Sequence, residues 1–473
     1  MGHTPRMDKR RTKPNSTSDK YYLDNVLGIF EQLLPVQIIQ RLYQEVNLSY
    51  YTRLLPPLLI LWGFIYQRLN ADHTLDAAWS HITLEEVQRR FGVQPSKTRV
   101  LSESTSAYSQ ARQRLPLNVA NEVLVATRDR MSEMMGEEGR WHGYRVNLFD
   151  GSTILLSASK ELVEHYGVDH NQHGDYHWPL MRLVAGFDYF SGAVTGVRQG
   201  AYKVSEHPLA AGLIRDLGTD WLHIGDKFLG AYHILQAVTH AKSQALLRLN
   251  PASAQRLANH PLESGADLDV VWKKAAGNLV EEDMPTPDVP GRLIYVRLEK
   301  DGFQPIHLFL FTTLTDREAF PLHELVNLYG YRWNVELDLR HVKSTLNMER
   351  LDAQSVDMVQ KELILGLLAY NLIRGLMAKA ALQAGVLPCQ LSVAMCWRRI
   401  MDASLSLYSG LMSANVENIL DVLLRRLGRC LLPKRKKERF EPRALWGSPR
   451  VYPTIKISRN ETRQKQLEAL NKS

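Results

Sequence analysis

Cysteine and long apolar runs are the scarcest features of this sequence. Only Cys389, Cys396 and Cys430 occur in 473 residues. They have no metal-ligand spacing and are too few for a disulfide framework, which points to a reducing compartment. The longest apolar run, residues 54–66, is 13 residues long and contains Pro56 and Pro57. A bilayer-spanning helix needs about 20 such residues, so no membrane partner is expected. The first residues are polar and basic, without the apolar stretch of a secretory signal. Acid is scarce at both ends. Residues 425–473 hold 15 Lys and Arg against 4 Asp and Glu, and residues 1–20 hold 6 against 2. With a total charge of +8, the rest of the chain is slightly acidic. Basic ends of this kind suit a polyanion, most simply nucleic acid; a solvated tail is the bland alternative.

The remaining composition, 45% hydrophobic and 23% charged, is that of a globular chain with a real core. The length suggests two to four structural units. Residues 24–136 read as helical, with apolar spacing at Val36, Ile38, Ile39, Leu42 and Tyr43 and again over 55–69. A β-rich run at 145–149 ends in Asp150-Gly151-Ser152. Residues 183–190 and 193–199 flank Ser191-Gly192 as a hairpin, with Asp188 in a turn role. A helix over 208–217, a strand over 221–224 ending in Gly225-Asp226, a helix over 232–241 and a strand over 245–249 follow. Six prolines punctuate 250–305, which reads as an inserted β-rich subdomain. Residues 306–313 form a strand, 322–346 a helix and 358–382 a long buried helix. The basic tail from about 425 contains four prolines that favour an extended chain.

The helix over 322–346 carries the most chemistry. At about 100° per residue, Tyr329, Arg332, Glu336 and Lys343 fall within an arc of about 60°. Leu328, Val335, Leu339, Val342 and Leu346 form the adjoining apolar stripe. Asp338 points about 180° away from Tyr329 and reads as solvated. A carboxylate among cations is either a solvated face with intrahelical pairs or a metal-binding acid with phosphate-gripping neighbours.

The pattern Y-x2-R-x3-E-x6-K is the signature of the DDE transposases of the insertion-sequence-four group, which this chain resembles at Tyr329, Arg332, Glu336 and Lys343. Trp333, after the arginine, is similar to that group as well. Asp150-Gly151-Ser152-Thr153 resembles the family's first catalytic Asp and Gly225-Asp226 its second. The stretch from Tyr108 to Pro116 resembles its N-terminal region, and Tyr370-Asn371-Leu372 with Arg374 the helix after its core. The resemblance implies an α/β fold: a ribonuclease-H-like catalytic core with an inserted β-rich subdomain, between helical N- and C-terminal regions. It implies that Asp150, Asp226 and Glu336 are catalytic and metal-binding. Three carboxylates are hard ligands for Mg2+, and two ions, with Mn2+ able to substitute, would activate the attacking oxygen and stabilise the leaving one. Water would cut first and the freed DNA 3′-hydroxyl would attack next. Tyr329, Arg332 and Lys343 would hold phosphates, and Trp333, or Trp272 in the insertion, would stack an extruded base of a hairpin intermediate.

The expected organisation is a helical DNA-end-binding region (1–136), a first part of the core (137–249), the insertion (250–305), the second part with the Glu helix (306–350), a helical region with a dimer contact (351–424) and the basic tail (425–473). The expected partners are double-stranded DNA with terminal inverted repeats, target DNA and a second copy of the chain in a synaptic homodimer. The setting would be the prokaryotic cytoplasm, at the nucleoid. Arg112 and Arg114 are candidates for DNA contact, though they do not share a helix face. His165, His170, His173 and His177, with Asp169 and Asp175, form a dense polar loop whose spacing matches no zinc motif. The competing function from another class is a transposase-derived DNA-binding regulator without catalysis; a nuclease without strand transfer is the third.

Overall fold

The computed structural model describes residues 55–70, 72–91, 103–171, 174–275, 284–299, 305–408 and 416–433, with a few single positions besides; side chains are described for fewer, notably not 169–177. The helix expected around Val36–Tyr43 and the Lys434–Lys437 run lie outside the described residues; the histidine segment expected as a loop is instead built of two antiparallel strands, Val168–Asn171 and Gly174–Asp188, with His170 opposite Asp175. One large unit comprises 1–296 and 308–432, and a small one 297–307 and 433–473.

Helices open the described chain: α1 Pro57–Leu69, α2 Leu75–Ile82, α3 Glu85–Arg90, α4 Ser106–Arg114 and α5 Leu117–Met135. In α5 the buried positions Val119, Val123, Thr127 and Met131 recur at helical spacing, and Gly136 ends it at φ +54°. Then come β1 Arg145–Leu156, α6 Lys160–Tyr166, β2 Val168–Asn171, β3 Gly174–Asp188, β4 Val194–Ala201, α7 Glu206–Leu217, β5 Trp221–Gly225, α8 Tyr232–His240 and β6 Gln244–Arg248. After these follow α9 Pro251–Ala258, β7 Ala266–Trp272, β8 Val289–Leu298 and β9 Ile306–Thr312. The last group is α10 Leu322–Gly330, α11 Trp333–Arg340, a π-turn His341–Thr345, β10 Arg350–Leu351, α12 Val356–Ala384, α13 Val393–Tyr408 and α14 Val416–Leu427.

Ten strands make one mixed sheet in the order β2-β3-β1-β5-β6-β9-β8-β7, with β4 added to β3 and β10 to β1. β1, β5 and β6 are parallel; β3 runs antiparallel to β1, and β4 to β3. Alternation along β1 divides the core. Val146 and Leu148 join the cluster that includes α10, α11 and α12, whereas Phe149 joins the cluster beneath α7 and α8. Asp150 shares the face of Val146 and Leu148, and Asp226 shares that of Leu222 and Ile224.

Three further expectations need correction. β1 does not end at Asp150 but continues to Leu156, because β3 and β10 pair with its second half. The proline-rich run is not a separate β subdomain: it supplies a helix, and β7 and β8 extend the main sheet beyond β9. The helix over 322–346 is broken. α10 stops at Gly330, α11 starts at Trp333, and the chain then widens into the π-turn. Tyr331 and Arg332 keep helical dihedrals through the break, which is why apolar periodicity does not reveal it.

α12 is long and apolar enough by composition to cross a membrane, but 94% of its most apolar stretch is buried inside the protein. It starts on Ser355, whose Oγ accepts the Met358 N–H, and stops at Gly385 with φ +64°. α1, α4, α5, α11 and α14 all contribute buried apolar residues to the cluster that contains it. Arg112 of α4 is also turned inward. It is 4% exposed, and its Nη2 donates to Glu362 Oε1 of α12 at 2.6 Å. The other oxygen of Glu362 takes Arg68 of α1 at 3.3 Å. Arg112 is therefore a tie between helices and not a DNA contact; Arg114 stays exposed.

Candidate active site

Backbone register brings the first two acids together. The last paired residues of β1 and β5 are Leu148 and Ile224. Carried two residues further, that register sets Asp150 beside Asp226, although 76 residues separate them in sequence. Asp226 is fixed by its own turn: its Oδ1 accepts the N–H groups of Phe228 at 2.9 Å and Leu229 at 3.0 Å. The turn packs so tightly that a Cβ on Gly230 would lie 2.1 Å from the Arg248 carbonyl oxygen. Asp150 Oδ1 accepts the Gly151 N–H at 2.8 Å.

The third acid arrives from the broken helix. Arg332, at the break, donates from Nη2 to Glu336 Oε1 at 2.7 Å and brings Nη1 within 3.6 Å of Asp150 Oδ2. Lys343 sits in the π-turn, where Nζ reaches Ser152 Oγ of β1 at 3.4 Å. Extra-wide turns of this kind shift the residues after them off the regular helical face. A cleft of about 340 Å3 opens between β1 and these helices, lined among others by Asp150, Ser152, Glu336, Lys343 and Glu349. Burial pushes the Asp150 carboxyl up to about 6; the Gly151 N–H and Arg332 oppose this, while the negative fields of Asp226 and Glu336 add to it. Asp150 thus lies within the field of both other acids.

The remaining expected residues divide. Tyr329 does not share the open face: it is 7% exposed, and burial raises its hydroxyl to about 12 against the opposing charges of Arg332 and Arg248. The break between α10 and α11 is the reason, since a single regular helix would have put it in line with Glu336. Trp333 is 52% exposed. Trp272 packs edge-on to Phe311 at 5.1 Å and is nearly buried, so it belongs to the core. Asp338 is buried rather than solvated. Asp188 holds the hairpin turn, its Oδ1 accepting the Ser191 N–H at 2.7 Å and hydroxyl at 2.8 Å. Two residues had no role assigned from the sequence. Glu349 lines the cleft and accepts the Ser344 hydroxyl at 2.7 Å. Phe228, two residues after Asp226, is 55% exposed, and its ring lies 4.7 Å from that of His207. A bulky apolar residue two positions after the Gly-Asp pair is the one local signal that marked it.

Among the described residues, no three His, Cys, Asp or Glu side chains are drawn tightly enough to form a metal shell. The expected shell of Asp150, Asp226 and Glu336 is thus assembled only as a neighbourhood. The donor chemistry nevertheless fits a hard divalent cation. Among the described residues, Asp226 and Glu336 each accept hydrogen bonds at one oxygen and none at the other, and Asp150 adds an oxygen 3.6 Å from Arg332 Nη1.

A family model described as the transposase DDE domain matches residues 141–372, which span all three acids. Transposase InsG for insertion sequence element IS4, from Escherichia coli (strain K12), is 25% identical over 442 residues, covering 91% of this chain and 95% of that protein. The chain is a DDE transposase of the insertion-sequence-four group. A solved structure, the piggyBac transposase synaptic complex with hairpin DNA, matches with a TM-score of 0.39 and 10% identity, over 89% of this chain and 86% of that one. As a DDE transposase, the protein acts on DNA by nuclease and strand-transfer chemistry, and its family depends on divalent metal ions.

Proposed function

We propose that Asp150, Asp226 and Glu336 are the catalytic acids of a cut-and-paste reaction, held in a ribonuclease-H-like core. The observation that carries this reading is the convergence of the three acids: two by the β1–β5 register, the third through Arg332. The strand order β4-β3-β1-β5-β6, three antiparallel neighbours followed by parallel ones, supports the core assignment.

Two Mg2+ ions bound by these carboxylates would supply charge stabilisation for an in-line displacement at phosphorus. The protein's own groups then do the positioning. Asp150, with its carboxyl raised, needs to shed a proton before it can serve as a ligand. Lys343 and Arg332 grip phosphates next to the acids, Arg332 by its planar fork. Tyr329 braces Arg332 from within instead of touching DNA. Trp333 offers an exposed ring to an unpaired base, and Phe228 offers a second next to Asp226. Arg114 and the N-terminal helices (1–136) would engage the inverted repeats, the region 351–424 would make the homodimer contact, and the basic tail would add salt-dependent phosphate contacts. The work would take place at the nucleoid in the cytoplasm.

The test is a magnesium-dependent cleavage assay on the DNA flanking the protein's own gene, with wild type and Glu336→Gln. Cuts at an inverted repeat that vanish in the variant support the assignment. Specific binding without cuts, in magnesium and in manganese, would instead make the protein a DNA-binding regulator.

A further inference from the structure

α11 has only eight residues, with a break before it and a π-turn after it. Val335 and Leu339 seat it on the core, followed by Val342 of the π-turn, but apolar contact is non-directional. Glu336 and Asp338 are two residues apart, about 200° around the helix. When Glu336 faces the cleft, Asp338 faces the protein.

Directional bonds wait for it there. Asp338 Oδ1 accepts the Tyr370 hydroxyl at 2.9 Å and lies 3.6 Å from Arg374 Nη1, both on α12. Arg374 Nε donates to the Ser191 carbonyl in the β3–β4 turn at 3.2 Å. The neighbouring Gly192 has φ +70°, and a Cβ there would fall 1.6 Å from Arg374 Nη2, so the turn leaves room for the guanidinium only as glycine. One residue beyond Tyr370, Asn371 accepts the Val194 N–H at 2.7 Å and donates to its carbonyl at 3.2 Å. An unbroken chain of polar bonds thus runs from the hairpin through α12 to the helix of Glu336. Desolvating such an ion pair offsets much of its attraction, and apolar replacements of the same volume are often as stable. Its distinctive contribution is orientation.

We propose that Asp338, Tyr370 and Arg374 are positioning residues that set the rotation of α11 and so aim Glu336 and Arg332 at Asp150. The proposal rests on the reading of Glu336 as a catalytic acid. The full-length protein is compared as wild type, Asp338→Asn, Asp338→Ala, Tyr370→Phe and Glu336→Gln. Single-turnover cleavage at saturating DNA, end affinity and thermal midpoint are measured for each. Tyr370→Phe removes one hydroxyl from a buried site and tests the clamp even where Asp338→Ala fails to fold. The expected result is a cleavage rate about 10-fold lower for Tyr370→Phe and Asp338→Asn, at end affinity within about twofold. The magnesium concentration for half-maximal rate rises with it. Asp338→Asn, which still accepts from Tyr370, exceeds Asp338→Ala in rate. Wild-type rates in both Tyr370→Phe and Asp338→Asn, with Glu336→Gln inactive, overturn the clamp alone. Loss of rate and end affinity in equal measure also overturns it, because that marks a part that merely holds the fold. Cleavage by Glu336→Gln overturns the catalytic assignment, and the clamp with it.

Discussion

Two clusters of carboxylates and guanidinium groups in this transposase are built from the same parts and end in opposite states. In the first, Glu362 lies between Arg68 and Arg112, one oxygen for each, and the three side chains are 5–9% exposed. In the second, Asp150, Asp226 and Glu336 share Arg332 and nearby Lys343, beside an open cleft. The first has no acid to spare. The second has more acid than cation, and the surplus is felt at Asp150, whose carboxyl is raised by burial and by the other two acids. A closed ion cluster joins three helices; an unbalanced one at a cleft is poised for a ligand that brings positive charge.

Substitutions can sharpen this contrast. The largest expected effect is on cleavage: Glu336→Gln should lower the cutting rate by about 10^3-fold or more, while its urea midpoint stays near that of wild type. A large fall in that midpoint would move Glu336 into the class of Glu362. Next, Glu362→Gln should cost about 3–5 kcal/mol of stability, because two buried guanidinium groups lose their counter-charge; chemical denaturation measures it. A variant as stable as wild type would show that water reaches the triad.

Asp150 gives a pH signature of the opposite sign to an ordinary paired acid. Its folded value of about 6 exceeds the usual 3.8. The folded state therefore holds the proton more tightly, and the ionised group is a burden above pH 6 that disappears below pH 4. In metal-free buffer, wild type should lose stability relative to Asp150→Asn as pH climbs from 4 to 6, by about 2–3 kcal/mol. A flat difference across that window would mean that the acid is already matched by cations. The smallest effect belongs to Lys343→Ala, which should reduce the slope of log affinity against log salt by about one unit. An unchanged slope would return Lys343 to the solvated surface.

Much of the sheet was legible because parts of β1, β3, β4, β5 and β6 are apolar runs, several closed by Gly-Asp or Ser-Gly turns, whereas β2 and the start of β3 fall in the polar histidine segment read as a loop. Asp150, Asp226, Glu336, Arg332 and Lys343 were legible through spacing and resemblance. The rest depended on partners far along the chain. Arg112 looks like a surface cation until Glu362, 250 residues later, is seen to take it inside. Asp338 looks solvated on a helical wheel, since neither Tyr370 nor Arg374 is visible from its own helix. Tyr329 fell into line with Glu336 only on a regular helix, and the break at Tyr331–Arg332 leaves no mark in apolar periodicity. β7 and β8 look like an island because strand pairing with β9 is not a local property.

The pairing of β1 with β5 bears on how copies of such a gene decay. The spacing of Asp150 and Asp226 is written in main-chain hydrogen bonds, which almost any residue supports. Substitutions through the intervening helices and loops leave it unchanged as long as the strands form. The bearing of Glu336 has no such insurance, since it hangs on a handful of side chains, any one of which a single nucleotide change can remove. Silenced descendants should therefore accumulate their first lesions around the glutamate helix and its supports, while the two aspartates still stand side by side in a protein that no longer cuts.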